Sequence, residues 1–240
     1  MAILKTTGLT RQFGGLKALS DVSIEINEKE VVGVIGPNGA GKSTFTNVVA
    51  GVYLPTSGKI EFKGQDISLT VAHERCQLGI SRTFQLMRPL QGLNMIGNIM
   101  LGSMFGKGYS QKKARNNSLE ICKFLSLENV ERPISAMTAL EIKKMEIARA
   151  LATEPSLLFL DEVMAGLNKD ETMEMIETVR KINQQGMTII IIEHVMRVIR
   201  ELTHRVVVLD WGCLLTEGPY DKVSGDPRVI TAYLGEEAEC

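Results

Sequence analysis

The chain has 240 residues, 44% of them hydrophobic, with 27 basic against 28 acidic side chains and a formal net charge of -1. That length allows one large domain or two small ones with a core that needs no staples, and the scattered, nearly balanced charge argues against a nucleic-acid partner held by phosphate attraction. The longest apolar runs, Met187 to Ile192 and Val206 to Leu209, fall far short of the roughly 20 residues that span a bilayer, and Met1 to Thr10 has no apolar signal-peptide core, so a soluble protein that stays where it is made is expected. Cys76, Cys122, Cys213 and Cys240 are widely separated with no C-x-x-C spacing, which points to buried reduced thiols rather than a zinc site or a disulfide framework.

In chain order, Val22, Ile24 and Ile26 alternate with Ser23 and Glu25 and predict a half-buried strand. Val31 to Ile35 is a β-branched run suited to a strand buried on both faces, and Ser43 to Gly51 reads as a helix ending at glycine. Gly58 to Lys63 gives another short strand after the turn Pro55-Thr56-Ser57. Together these predict an antiparallel layer beside a parallel core. From about Met87 to Leu127 the signals turn helical, with Asn94 as a cap before Met95-Ile96 and a polar helix from Ser110 to Leu127, suggesting an inserted helical subdomain. A helix from Ala139 to Ala152, a strand from Leu157 to Leu160, a helix from Lys169 to Gln185 and a strand from Thr188 to Ile192 follow. That alternation implies βαβ units and a parallel sheet. The acidic end Glu236-Glu237-Ala238-Glu239 reads as frayed.

The chemistry starts at Gly36-Pro37-Asn38-Gly39-Ala40-Gly41-Lys42-Ser43, which fits the pattern G-x-x-x-x-G-K-[ST] between a buried strand and a helix. A strand, a glycine-rich turn and a helix N-terminus aim several backbone N–H groups and the positive helix end at one small volume, which suits a nucleoside triphosphate. Lys42 would reach the β- and γ-phosphates and the Ser43 hydroxyl would ligate Mg²⁺, with Thr44 completing the loop. Leu157-Leu158-Phe159-Leu160-Asp161-Glu162 is an apolar strand closed by two carboxylates, which an open α/β sheet places at its ligand-binding edge. Asp161 suits the Mg²⁺ shell and Glu162 suits a general base for the attacking water. Ile189-Ile190-Ile191-Ile192-Glu193-His194 repeats the arrangement. On spacing alone, His194 is either a γ-phosphate contact or a satisfied loop histidine, Gln85 is either functional or a solvent-facing strand end, and Phe13 is either a core aromatic or a platform for a base.

The order of Phe13, Gly36 to Ser43, Gln85, Met137 to Ala150, Asp161-Glu162, Ala165-Gly166-Leu167-Asn168 and His194 resembles an ATP-binding-cassette (ABC) ATPase over essentially the whole chain. The resemblance implies an α/β P-loop NTPase core with a mainly parallel sheet, an antiparallel β subdomain and an inserted helical subdomain, as a single nucleotide-binding domain over 1–240 with the helical part at approximately 87–154. It further implies ATP and Mg²⁺ as ligands, adenine stacking by Phe13, Mg²⁺ and water sensing by Gln85, a γ-phosphate contact by His194, and a head-to-tail homodimer or heterodimer in which the signature segment of one subunit closes over the nucleotide of the other. The family signature Leu-Ser-Gly-Gly-Gln is replaced here by Met137-Thr138-Ala139-Leu140-Glu141. Thr138 keeps the hydroxyl and Thr138-x-x-Glu141 is a capping box that opens the next helix, while the backbone N–H groups of Ala139 and Leu140 remain as donors and the room left by glycine is lost. A working but weaker clamp is the expectation. Asn168 and Val163 also stand where the family carries Asp and Pro.

Arg82-Thr83-Phe84-Gln85, Ala165-Gly166-Leu167-Asn168 and Ala232-Tyr233-Leu234-Gly235-Glu236 look like the ATP-binding subunits of branched-chain amino acid importers; urea-type importers and a lipopolysaccharide-export ATPase share much of the pattern. The resemblance places the protein on the cytoplasmic face of a membrane, with permease subunits docking near Gln85 and the helical subdomain. Met87, Leu90, Leu93, Met95, Ile96, Met100 and Met104 crowd that region, most of them as core and an exposed subset as a contact groove. Readings of other classes are a non-transport ABC ATPase and an ATP-gated structural subunit.

Overall fold

In the computed structural model, which describes residues 1–83 and 89–234, the chain folds as two β-sheets with helices around them. In order these are β1 (Ala2–Phe13), β2 (Leu16–Asn27), β3 (Val31–Ile35), α1 (Lys42–Val49), β4 (Ser57–Phe62), β5 (Gln65–Asp66), α2 (Ala72–Leu78), β6 (Ile80–Arg82), α3 (Met95–Lys107), α4 (Gln111–Phe124), a short 3₁₀ turn (Ile134–Ala136), α5 (Ala139–Leu151), β7 (Leu157–Asp161), α6 (Lys169–Gln184), β8 (Thr188–Ile192), α7 (Met196–Leu202), β9 (Arg205–Asp210), β10 (Cys213–Gly218), α8 (Tyr220–Val223) and α9 (Pro227–Leu234).

The larger sheet has the order β10-β9-β3-β8-β7-β6. All its pairings are parallel except β9 with β10. Its inner strands β3, β7 and β8 are buried along their whole length, without alternation, because both faces are covered. Along β3, Val31 and Ile35 join one core and Val32 and Val34 the other, and Leu158 and Leu160 against Leu157 and Phe159 repeat the division on β7. The first core packs under α3 to α7, and the second lies between this sheet, α1 and the smaller sheet. The smaller sheet, β2-β1-β4-β5, is antiparallel. It meets the expected antiparallel layer, but β1 was not anticipated from the sequence and β2 is longer than the Val22 to Ile26 alternation. Bulges along β1 explain the difference: register shifts between Thr6 and Leu9 and between Leu9 and Arg11 break a strict period of two.

Helix α1 begins at Lys42, where the loop 36–43 ends, and is fixed at its far end by Arg75. That guanidinium is fully buried and donates to the carbonyls of Val48 (2.7 Å), Val49 (2.8 Å) and Ile67 (2.7 Å), satisfying carbonyls that the helix end leaves open. Burial lowers its pKa to about 10, leaving it cationic at neutral pH. Helix α3 opens at the expected cap, with Asn94 accepting from the Gly97 N–H, and α3, α4 and α5 pack on one another. Met95, Ile96 and Met100 are core, as most of the methionine-rich run was expected to be, whereas Leu90 and Leu93 are exposed. Met87 lies outside the described residues. Cys76 and Cys122 are free thiols, the first only half-buried.

Candidate functional site

The loop 36–43 leaves the C-terminal end of β3 and runs into α1. Its backbone path depends on two glycines. Gly36 sits at φ 149°, where an added Cβ would stand 2.0 Å from the Leu209 carbonyl oxygen of the neighbouring strand, and Gly41 sits at φ 98° with its Cβ position 2.7 Å from the Ala18 carbonyl. Only glycine accepts both the conformation and the approach. No acidic side chain occupies the first turn of α1, so its N–H groups and positive end are left to a ligand. Lys42 is buried, and its ammonium donates to the carbonyls of Gly36 (2.6 Å) and Pro37 (2.8 Å). Burial lowers its pKa, while Glu162 and Asp161 act in the opposite sense. The cation is thus held inside the curl of the loop, with Ser43 exposed and Thr44 half-buried beside it.

The two carboxylates occupy unlike settings. Asp161, at the end of β7, is 4% exposed and faces Arg82 Nη2 at 3.3 Å. Its backbone N–H donates to Thr83 Oγ1 at 3.0 Å, and Arg82 also donates to Asn47 Oδ1 at 2.5 Å. Burial raises the Asp161 pKa, with Arg82 the largest opposing influence. Glu162 has φ 51°, a left-handed conformation that a non-glycine residue adopts at a cost and that recurs at functional sites. Its N–H bonds the Ile192 carbonyl at 2.9 Å, and this turn brings its Oε1 to 3.0 Å from His194 Nε2. Lys143 from α5 donates to the Glu162 carbonyl at 3.4 Å. The structure therefore brings Lys42, Asp161, Glu162 and His194 to one sheet edge, where His194 is a loop residue hydrogen-bonded to Glu162; both readings left open by the spacing, a γ-phosphate contact and a satisfied loop histidine, fit this pair.

Three other expected positions fall differently. Phe13 is not core: it is 37% exposed, its ring lies under the Arg11 guanidinium at 4.5 Å and edge-on to Tyr53 at 5.1 Å. Gln85 lies outside the described residues. The segment Thr138 to Glu141 forms the capping box read from the sequence, with Glu141 accepting from the Thr138 N–H at 2.8 Å and pairing with Arg132. Its hydrogen bonds stay local and do not reach the loop 36–43 of the same chain. Leu140 is turned into the core, so the substitution of the second glycine adds no bulk outside, and of the two replacing residues Ala139, exposed, carries the outward Cβ.

Sequence reasoning assigned no role to Arg82, Glu193 or Tyr233. Glu193 is buried and accepts the Met164 N–H at 2.8 Å, tying the end of β8 to the turn after Glu162, and burial raises its pKa to about 7. The signal for Arg82 was available: a cation at the end of a strand beside one closed by two acids.

A divalent cation fits the donors that are present. The Asp161 carboxylate lies close enough to the loop to act on Lys42, and Ser43 offers a hydroxyl. Among the described residues no cluster of three or more His, Cys, Asp or Glu assembles; few protein carboxylates, a hydroxyl and phosphate oxygens are the set Mg²⁺ takes. Among the described residues no helix is long and apolar enough to cross a membrane.

A family profile described as ABC transporter matches residues 19–165, and one described as branched-chain amino acid ATP-binding cassette transporter matches 213–239. The chain is similar to the high-affinity branched-chain amino acid transport ATP-binding protein LivG of Salmonella typhimurium, at 34% identity over 250 residues covering 98% of each. It is also similar to the crystal structure of a nucleotide-free ATP-binding cassette from an ABC transporter, at TM-score 0.90 and 30% identity over 98% of this chain and 100% of that one. A bacterial ABC transporter cassette solved as a dimer shares the fold, at TM-score 0.81 and 24% identity over 90% of this chain and 98% of that one.

Proposed function

The chain belongs to the ABC transporter family, and we propose that it is the ATP-binding and ATP-hydrolysing subunit of an importer of branched-chain amino acids. The observation that carries the catalytic reading is the Glu162–His194 pair at the C-terminal edge of the parallel sheet, next to a glycine-shaped loop that encloses Lys42. We read residues 1–240 as one nucleotide-binding domain with a helical part at about 87–154.

In this reading backbone N–H groups within residues 38–44 and the Lys42 ammonium bind the phosphates, and Phe13 stacks on adenine with Arg11 closing its other face. Ser43, Asp161 and Gln85 would hold Mg²⁺, which when bound would supply charge neutralisation to the phosphates. Glu162 takes the proton of the attacking water, and His194, hydrogen-bonded to Glu162, orients that carboxylate and reaches the γ-phosphate. The reaction joins water to the γ-phosphorus, breaks its bond to the bridging oxygen and releases ADP and phosphate.

A second ATP-binding subunit, identical or homologous, supplies the opposing Thr138 to Glu141 segment, whose helix N-terminus faces the γ-phosphate. The permease docks at a groove of about 400 Å³ between α1, α2, α3 and α5, lined by Val52, Leu101, Phe105 and Arg149 among others. Phe105 is 76% exposed there, and Leu90, which bonds Asn98 of α3, is 49% exposed; apolar groups left open in this way are suited to a partner. The chain then works at the cytoplasmic face of the membrane as a peripheral subunit. The test is Phe105→Asp with Leu90→Asp in cells that co-express candidate branched-chain amino acid permease subunits. Loss of labelled leucine uptake and of permease co-purification, with basal ATPase retained, is the expected result, and unaltered uptake and binding would refute the docking site.

A further inference from the structure

The C-terminal helix reaches back to the phosphate loop. Tyr233, in the last turn of α9, places its Oη 2.9 Å from the backbone nitrogen of Gly36 and accepts that N–H, a contact across 197 positions of the chain. Gly36 is the residue at which the loop leaves β3, and three constraints meet on it. Its α-carbon is pressed against the Leu209 carbonyl of β9, its own carbonyl accepts from Lys42 at 2.6 Å, and its N–H is taken by Tyr233. α9 is anchored for this purpose, because Val229 and Ala232 are buried on the inner side of the same helix. The Tyr233 ring is partly exposed, yet burial around its hydroxyl raises the pKa despite the Gly36 hydrogen bond, so the phenol stays protonated and neutral. The general ABC transporter match ends at residue 165, whereas Tyr233 lies in the separately matched segment 213–239. The contact therefore links a segment outside the general match to the loop inside it.

We propose that Tyr233 is a positioning residue for the phosphate loop: by holding the Gly36 N–H it fixes the entry of residues 36–43 in the shape that receives the nucleotide phosphates. The inference rests on the reading of residues 36–43 as the phosphate-binding loop. A preorganised loop costs less to order on binding, so the hydroxyl acts on nucleotide affinity and not on the bond-breaking step.

The experiment compares Tyr233→Phe and Tyr233→Ala in the full chain, using a fluorescent ATP analogue for the dissociation constant, steady-state ATPase for KM and kcat, and thermal unfolding. Tyr233→Phe keeps the ring and removes the acceptor. It is expected to lower the unfolding midpoint by no more than about 4 °C, the effect of one neutral hydrogen bond on a chain of this size, to raise both the dissociation constant and KM about three- to tenfold, and to leave kcat within about twofold. Tyr233→Ala is expected to lose the same affinity and considerably more thermal stability. If Tyr233→Phe binds the analogue as the parent does, or lowers only the unfolding midpoint, the hydroxyl has no positioning role and the proposal is overturned. Lys42→Ala serves as the control: full binding by that variant would overturn the phosphate-loop reading itself, whereas its loss beside an unaffected Tyr233→Phe would overturn the Tyr233 role alone.

Discussion

Glu193→Gln should alter how the stability of the protein depends on pH. The Glu193 carboxyl is 2% exposed at the end of β8. Burial raises its pKa from 4.5 to about 7, against the hydrogen bond from Met164, the nearby Lys143 ammonium and the hydrogen bond from His194; the Glu162 carboxylate adds to the rise. The folded state therefore holds the proton more tightly than the unfolded chain does. The stability this contributes is fully present below about pH 4.5 and is lost as pH rises through about 7. The rise from 4.5 to about 7 corresponds to about 3 kcal/mol. The glutamine side chain does not ionise and still offers an oxygen to the Met164 N–H. Urea unfolding followed by circular dichroism from pH 4.5 to 8.5 should show the two proteins converging at the acid end. By pH 8 the variant should be more stable by an amount of that order. Parallel curves across the range would refute the account of Glu193 as a carboxyl held protonated by burial.

The remaining expectations concern the clamp and the loop. Thr138→Ala removes the cap of α5, at about 1 kcal/mol of stability, and should slow ATPase and weaken ATP-dependent dimerisation; Ala139→Asp places a charge on the exposed position and should do so more strongly, since Leu140→Asp would instead bury a charge in the core. Unchanged dimerisation and turnover in both variants would remove the clamp assignment. Gly36→Ala should abolish binding of the ATP analogue, because its Cβ would lie 2.0 Å from the Leu209 carbonyl; parent-like binding would show that the loop entry is not the constraint described.

Much of this architecture was legible in the chain because its signals are local. The runs at Val31, Leu157 and Thr188 are apolar on both faces since helices and a second sheet cover them, and the alternating helices between them leave a parallel sheet as the consistent solution. The glycine-shaped turn at 36–43 and the Thr138 capping box were readable because each is a short pattern with a fixed backbone geometry. β1 was hidden by its bulges, and α2 by its brevity. The links that long-range packing creates were not legible. Nothing near position 233 announces a partner at Gly36, and nothing in the sequence turns Leu140 inward or sets the Arg11 guanidinium over Phe13. The contact of His194 with Glu162 was likewise not legible: it depends on the turn at Glu162, with its positive φ, which brings the two side chains to 3.0 Å.

The central claim is that Glu162 does the chemistry of ATP hydrolysis, and Glu162→Gln tests it most directly. The amide keeps the size of the side chain and can still accept from His194, but it cannot take a proton from water. Steady-state turnover of Mg-ATP and the oligomeric state with ATP are measured together, with and without the permease. The account predicts turnover slowed by on the order of 10²-fold or more, the scale of a general base, with unimpaired nucleotide binding and an ATP-dependent dimer that persists. Turnover equal to that of the parent protein would contradict it and leave a subunit that uses ATP only as a gate.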